Sequence, residues 1–188
     1  LTGSMPLGVA RLTALDALSH ALESAVCNTS TEESRAISFR AFRKMAPVIE
    51  AVLAGQATVE QRGEMLLGAA LAGQAIEASM LGAAHAAANP LTAHYDVVHG
   101  RAVLTMLPSI MKWNSQVVGE VYQRLQPDLI AWVESLRGHA GLEPVTVSES
   151  DIPQLAQKAS RQWTGQFNPR PLEVEDFEKV YREALLLA

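Results

Sequence analysis

One cysteine, Cys27, is all that this chain offers for sulfur chemistry, which excludes an internal disulfide. No CxxC pattern surrounds it, so the thiol reads as structural and the compartment as a reducing one, the cytoplasm. Basic charge is also scarce. Fifteen Lys and Arg against 20 Asp and Glu leave a net charge of −5 and a pI near 5.5, without the basic stripe that a phosphate backbone requires, so nucleic acid is not expected as a partner. Apolar residues make up 48% of the chain, yet no run of 18 lacks a polar interruption, and no membrane span is expected. The opening Leu1-Thr2-Gly3-Ser4 carries neither a cationic region nor an apolar one, so no signal peptide is read there.

Strand signals are missing as well. β-branched runs are short, and no Asn-Gly or Asp-Gly turn joins two alternating segments. Ala and Leu at three- and four-residue steps dominate instead, and the 188 residues read as one all-α domain with a sizeable core. A first helix is expected over residues 13–26, with Thr13-Ala14-Leu15-Asp16 as a capping box, and a second over 34–54, stopped by Gly55. A third over 59–81 carries Gly68, Ala69, Ala72, Gly73 and Ala75, small residues that suit a central, closely packed helix. Further helices are expected over 100–115, 117–125, 128–139, 151–164 and 174–186, joined by the linkers GLEPVTVSES and GQFNPRPLE.

Three of the five histidines fall within Gly82–Gly100, GAAHAAANPLTAHYDVVHG, a stretch with almost no charge. His85 and His99 could share an ion only if the chain turns between them, since fourteen residues of one helix would hold them roughly 21 Å apart. Asn89-Pro90 is the expected turn, because proline disfavours helical geometry at the residue before it. Asp16 and His20, four apart on the first helix, point to one face and could also share an ion. Each motif has a plainer reading. Asp16 would serve the capping box, and a histidine among alanines is more often a satisfied core residue than a ligand. His94 and Asp96 read as loop or supporting groups, and His139 as a complement to a helix dipole. The residues alone leave a metal site and a packed core both open.

The segment ALDALSHALESAV (residues 14–26), followed by AAHAAANPLTAHYDVVHGRAVLTMLPSIMKWN (83–114), closely resembles the helical C-terminal domain of the iron-containing, group III alcohol dehydrogenases, and the tail from residue 151 resembles that family's C-terminus. The resemblance spans nearly the whole chain. It implies a multi-helix orthogonal bundle of the dehydroquinate synthase-like α type. It also implies metal ligands at Asp16, His20, His85 and His99. One carboxylate and three neutral imidazoles would leave a divalent ion, Fe²⁺ or Zn²⁺ or another, with net charge near +1 and open positions for a substrate oxygen. The implied activity is hydride transfer between a small alcohol or aldehyde and NAD or NADP, and the implied assembly is a homodimer.

Two departures qualify the resemblance. Where many relatives carry a further histidine near the nicotinamide, four residues after the third ligand, this chain has Asn89, and an amide cannot shuttle a proton. The N-terminal Rossmann-like domain that binds the dinucleotide in the family has no counterpart in residues 1–188, where no strand, Gly-rich turn and helix follow in series. The chain is therefore expected to be a fragment, inactive alone, that binds NAD or NADP only together with that domain. The alternative is a metal-binding or oligomerising helical module without catalysis.

Overall fold

The structure, a computed structural model, describes residues 3–188. The chain is helical, as its periodicity predicts. In order run α1 (Leu7–Ser24), α2 (Glu32–Met45), α3 (Ile49–Ala54), α4 (Val59–Ser79), α5 (Ala83–Tyr95), α6 (His99–Leu125), α7 (Leu129–His139), β1 (Thr146–Val147), α8 (Ile152–Ser160), α9 (Val174–Ala184) and β2 (Leu186–Leu187), with 3-10 turns at Glu149–Asp151 and Trp163–Phe167. No single helix is long and apolar enough to cross a membrane.

Local chemistry accounts for most of the boundaries. Thr31 opens α2 with a reciprocal cap: its hydroxyl accepts from Ser34 N at 3.1 Å while its own N–H donates to Ser34 Oγ at 2.9 Å. Thr58 and Gln61 do the same for α4. Such caps satisfy N–H groups that the helix itself leaves unpaired. Pro47 divides the helix expected over 34–54 into α2 and α3, since it brings no N–H to continue the ladder. Gly55 closes α3 in the left-handed region, at φ 75°.

Four expectations need correction. The first helix begins at Leu7, so Thr13 lies inside it and forms no capping box; its hydroxyl donates back to Val9 O at 2.9 Å. Asp16 is thereby free of any capping duty. Asn89-Pro90 does not break the chain either. Pro90 sits inside α5 and is buried together with Leu91, so core packing overrides the lost hydrogen bond, and Tyr181 Oη donates to Ala87 O at 2.7 Å within the turn that the proline perturbs. The reversal comes at Asp96, which adopts φ 51°, ψ 26° and ends α5 before His99 opens α6. Third, α4 is an outer helix: Met65, Gly68, Ala72, Ala75 and Ser79 face inward while Leu66 and Leu67 are exposed. Fourth, the helices expected over 100–115 and 117–125 run on as α6, kinked at Val118 (φ −128°, ψ 17°). In the linker after α7, β1 pairs in parallel with β2, Thr146 opposite Leu186, a ladder too short to leave a periodic signal.

The core that positions the site lies where α6 packs on both α1 and α5. Leu15, Leu18 and Leu22 of α1, Leu91 of α5 and the run Ala102–Leu104 with Met106 and Leu107 of α6 are essentially inaccessible to solvent. The approach of α6 to α1 is closest at Gly100, where a Cβ would stand 2.3 Å from Leu12 O and 2.9 Å from Leu12 C. Those are backbone atoms, so no side-chain rotation relieves the clash. Gly100→Ala should lower stability by about 3 kcal/mol, the upper end of the usual overpacking range, because α6 must move away from α1. Urea denaturation of the purified chain tests this; a loss below about 0.5 kcal/mol would show that the contact yields.

Candidate metal centre

Asp16, His20 and Glu23 step along α1 by four and three residues and form one stripe. His85 reaches it from the first turn of α5, and His99 from the first residue of α6. The turn at Asp96 thus does what Asn89-Pro90 was expected to do. Tyr95 Oη, which donates to Asp151 Oδ2 in a short hydrogen bond, ties that turn to the segment before α8.

Of the four residues singled out by the sequence, the three histidines converge on the carboxylate of the fourth, Asp16. His20 Nε2 lies 3.5 Å from Asp16 Oδ2, and His85 Nε2 and His99 Nε2 each lie 3.6 Å from Asp16 Oδ1. Ring centroids are 5.1 Å apart for His20 and His85 and 5.3 Å for His85 and His99. These N···O separations are too long for hydrogen bonds. They are close to the roughly 3.4 Å edge of a tetrahedron whose ligands sit about 2.1 Å from a common ion. Asp16 Oδ1 and His85 Nε2 are buried without a hydrogen-bond partner, a costly state for polar atoms unless something else satisfies both. Asp16, His20 and His85 each offer a ligand atom within 4.8 Å of the other two, as one ion needs. The residues present therefore fit a divalent metal.

Burial is graded across the site. The His85 side chain is 4% exposed, Asp16 25%, His20 24% and His99 40%, so the cluster is closed behind His85 and opens to solvent past His99. The charges follow. Burial works against the Asp16 carboxylate, but the surrounding His85, His20 and His99 outweigh it and hold its pKa below the ordinary value. Burial works against a charged His85 too, yet Glu23 and Asp16 on either side push its pKa up to about 9. Burial pulls His20 and His99 down, more strongly than Asp16 raises them.

Sequence reasoning missed Glu23. It is 4% exposed, its Oε1 accepts from Ala84 N at 2.8 Å, and its Oε2 takes a short hydrogen bond from His85 Nδ1. A usable signal was there: an acidic residue inside the apolar run SHALESAV, seven residues after Asp16, lies two turns along the same stripe. Other expectations stand differently. Asn89 is half-buried one turn after His85, and its Nδ2 donates to Gln162 Oε1 at 3.0 Å. His94 is exposed and accepts from Lys158 Nζ at 2.6 Å, outside the cluster. His139 ends α7, in the last turn as expected. Cys27 is buried, its Sγ directed at Met80 O.

Comparison with known proteins gives this geometry a setting. Residues 10–132 match the family described as Fe-containing alcohol dehydrogenase family, C-terminal. Lactaldehyde reductase of Escherichia coli K12 is 30% identical over an alignment covering 96% of this chain and 52% of that enzyme. The crystal structure of an iron-containing alcohol dehydrogenase from Thermotoga maritima superposes with a TM-score of 0.87 at 28% identity, over 97% of this chain and 50% of the other. A 1,3-propanediol oxidoreductase structure shares the fold at a TM-score of 0.89 and 24% identity, covering 97% and 53%. The chain spans about half the length of the curated relatives it matches. By family match and by fold, this chain belongs to the iron-containing alcohol dehydrogenases and corresponds to their helical C-terminal domain.

Proposed function

We propose that residues 1–188 form one domain, the metal-binding half of an NAD(P)-dependent alcohol dehydrogenase, in which Asp16, His20, His85 and His99 hold a single divalent ion, Fe²⁺ or a substitute such as Zn²⁺. The observation that carries this reading is the set of three Nε2 atoms at 3.5–3.6 Å from the two Asp16 oxygens. The metal, when bound, supplies a Lewis acid for the oxygen of a small alcohol or aldehyde, whose hydride is exchanged with the nicotinamide of NAD or NADP.

The protein's own groups divide the remaining work. His85, 4% exposed, closes the back of the site against water. The exposed flank at His99 is the side from which a substrate oxygen would approach. Asn89, one turn beyond His85 and held by Gln162, is placed near the nicotinamide in this reading. It can donate and accept hydrogen bonds but cannot take up a proton near neutral pH, so it orients rather than relays. The only sheet among the described residues is the two-residue pair β1–β2, so the dinucleotide site is assigned to a separate α/β domain. Relatives described as lactaldehyde reductase and 1,3-propanediol dehydrogenase support a small alcohol or aldehyde as substrate. A homodimer in the cytoplasm completes the reading.

Metal analysis tests it. The purified chain, reconstituted with Fe²⁺, Zn²⁺ or Co²⁺, should hold one ion, and His20→Ala and His85→Ala should each weaken binding at least about 100-fold while circular dichroism stays helical. A wild-type chain that holds no stoichiometric ion under any of these conditions overturns the assignment. The pH dependence has a definite sign. An imidazole binds metal only when neutral, and the pKa of His85 is raised to about 9, so metal uptake must displace its proton. Apparent affinity should therefore rise by up to about tenfold per pH unit between pH 6 and 9, and chelator competition showing a flat profile would contradict this.

A further inference from the structure

Glu23 is the one buried carboxylate of the site that does not face the metal ligand atoms. Both of its oxygens are occupied from α5: Oε1 by the Ala84 N–H at 2.8 Å, and Oε2 by His85 Nδ1. No side chain within α5 caps its start. An amide oxygen and a carboxylate oxygen from distant elements do so instead, Asn168 Oδ1 accepting from Ala83 N at 3.2 Å and Glu23 Oε1 accepting from Ala84 N. Asn168 is itself fixed by a two-way pairing with Asn114, at 3.0 and 2.7 Å. At Gly82 a Cβ would stand 2.9 Å from Glu23 Oε1 and 3.0 Å from Asn168 Oδ1, so the glycine makes room for both acceptors.

We propose that Glu23 is a positioning residue for the metal site: it holds the start of α5 and, through the same carboxylate, keeps a proton of His85 on Nδ1, so that Nε2, the atom toward Asp16, is the one freed for the metal. The inference rests on the metal-site reading above. An acceptor behind an imidazole sets its tautomer and raises its strength as a ligand. A carboxylate can only accept, so with Glu23 in place Nδ1 must donate. The ring cannot turn over without losing that bond, and its side chain is only 4% exposed.

Glu23→Gln inverts this logic without changing the shape. The Ala84 N–H still requires an acceptor, which fixes the amide oxygen there and turns the NH₂ group toward His85 Nδ1. Nδ1 must then accept, and the proton moves to Nε2, where it blocks the ligand position. The experiment compares wild type, Glu23→Gln and Glu23→Asp in the full chain. It reads zinc and cobalt affinity by chelator competition, and the protonation of each His85 ring nitrogen by long-range ¹H–¹⁵N NMR of the zinc-loaded chain. Glu23→Gln should bind metal about 10- to 100-fold more weakly with its helical signal unchanged, and Glu23→Asp, which keeps an accept-only partner, should recover part of the loss. The wild-type spectrum should show the proton on Nδ1 and the metal on Nε2.

Glu23→Gln binding within about twofold of wild type would overturn the inference, as would a wild-type spectrum with metal on Nδ1. That spectrum decides the matter even if Glu23→Gln fails to fold. A wild-type chain that takes up no zinc or cobalt fails in a different way, by removing the metal-site reading on which the inference stands.

Discussion

A carboxylate sealed away from water must find donors, and Glu23 finds two, both in α5. The arrangement of the site depends on that demand. The Ala84 N–H belongs to the first turn of α5, where backbone donors have no partner within the helix and the helix dipole favours negative charge. Glu23 therefore docks the start of α5 against the end of α1 and sets the height at which His85 enters the stripe of Asp16 and His20. The packing of α6 then supplies the fourth group. Gly100 lets the start of α6 lie against the backbone of Leu12, and His99, its neighbour, comes within 3.6 Å of Asp16.

The electrostatics of the cluster follow from the same geometry. Two carboxylates flank His85 in a site largely screened from solvent and push its pKa up to about 9, whereas at His20 and His99 burial outweighs the carboxylates and lowers the pKa. A divalent ion and a proton on His85 would answer the same excess of negative charge. All five groups sit on α1, α5 and α6, above a closed core.

Much of this was legible in the chain, and the failures have physical causes. The pair Asp16 and His20 follows from helical periodicity alone, and so does the placement of most helices. That His85 and His99 would meet each other and that pair is a long-range fact, which only the family resemblance carried at the level of sequence. The place of the turn was misread because proline's effect is a local bias: Pro90 is buried in α5 and core packing keeps it there, whereas Asp96 tolerates the left-handed conformation that reverses the chain. The capping box at Thr13 was misread because its pattern recurs inside helices, where a threonine hydroxyl can bond to the carbonyl four residues before it. Glu23 escaped notice because one acidic residue among alanines and leucines looks like a solvent-facing break in the pattern. Burial is what gives it meaning.

The division of labour in the fold bears on what the chain can do by itself. Every proposed ligand is carried by α1, α5 or α6, whose inner faces are closed by residues of this chain. The open flank at His99 is different. There the imidazole is partly exposed; separately, Asn89 on α5 is held by Gln162, and Trp163, next in the chain, is 61% exposed in the 3-10 turn that follows. An exposed indole beside a half-buried amide is the surface that a second wall would cover. In the proposed enzyme, metal affinity would draw on the buried junction of α1, α5 and α6, and hydride transfer on a cleft of which these residues would form one side. In the proposed enzyme the helical domain fixes where the substrate oxygen binds, and the choice of substrate depends on what closes over Asn89 and Trp163.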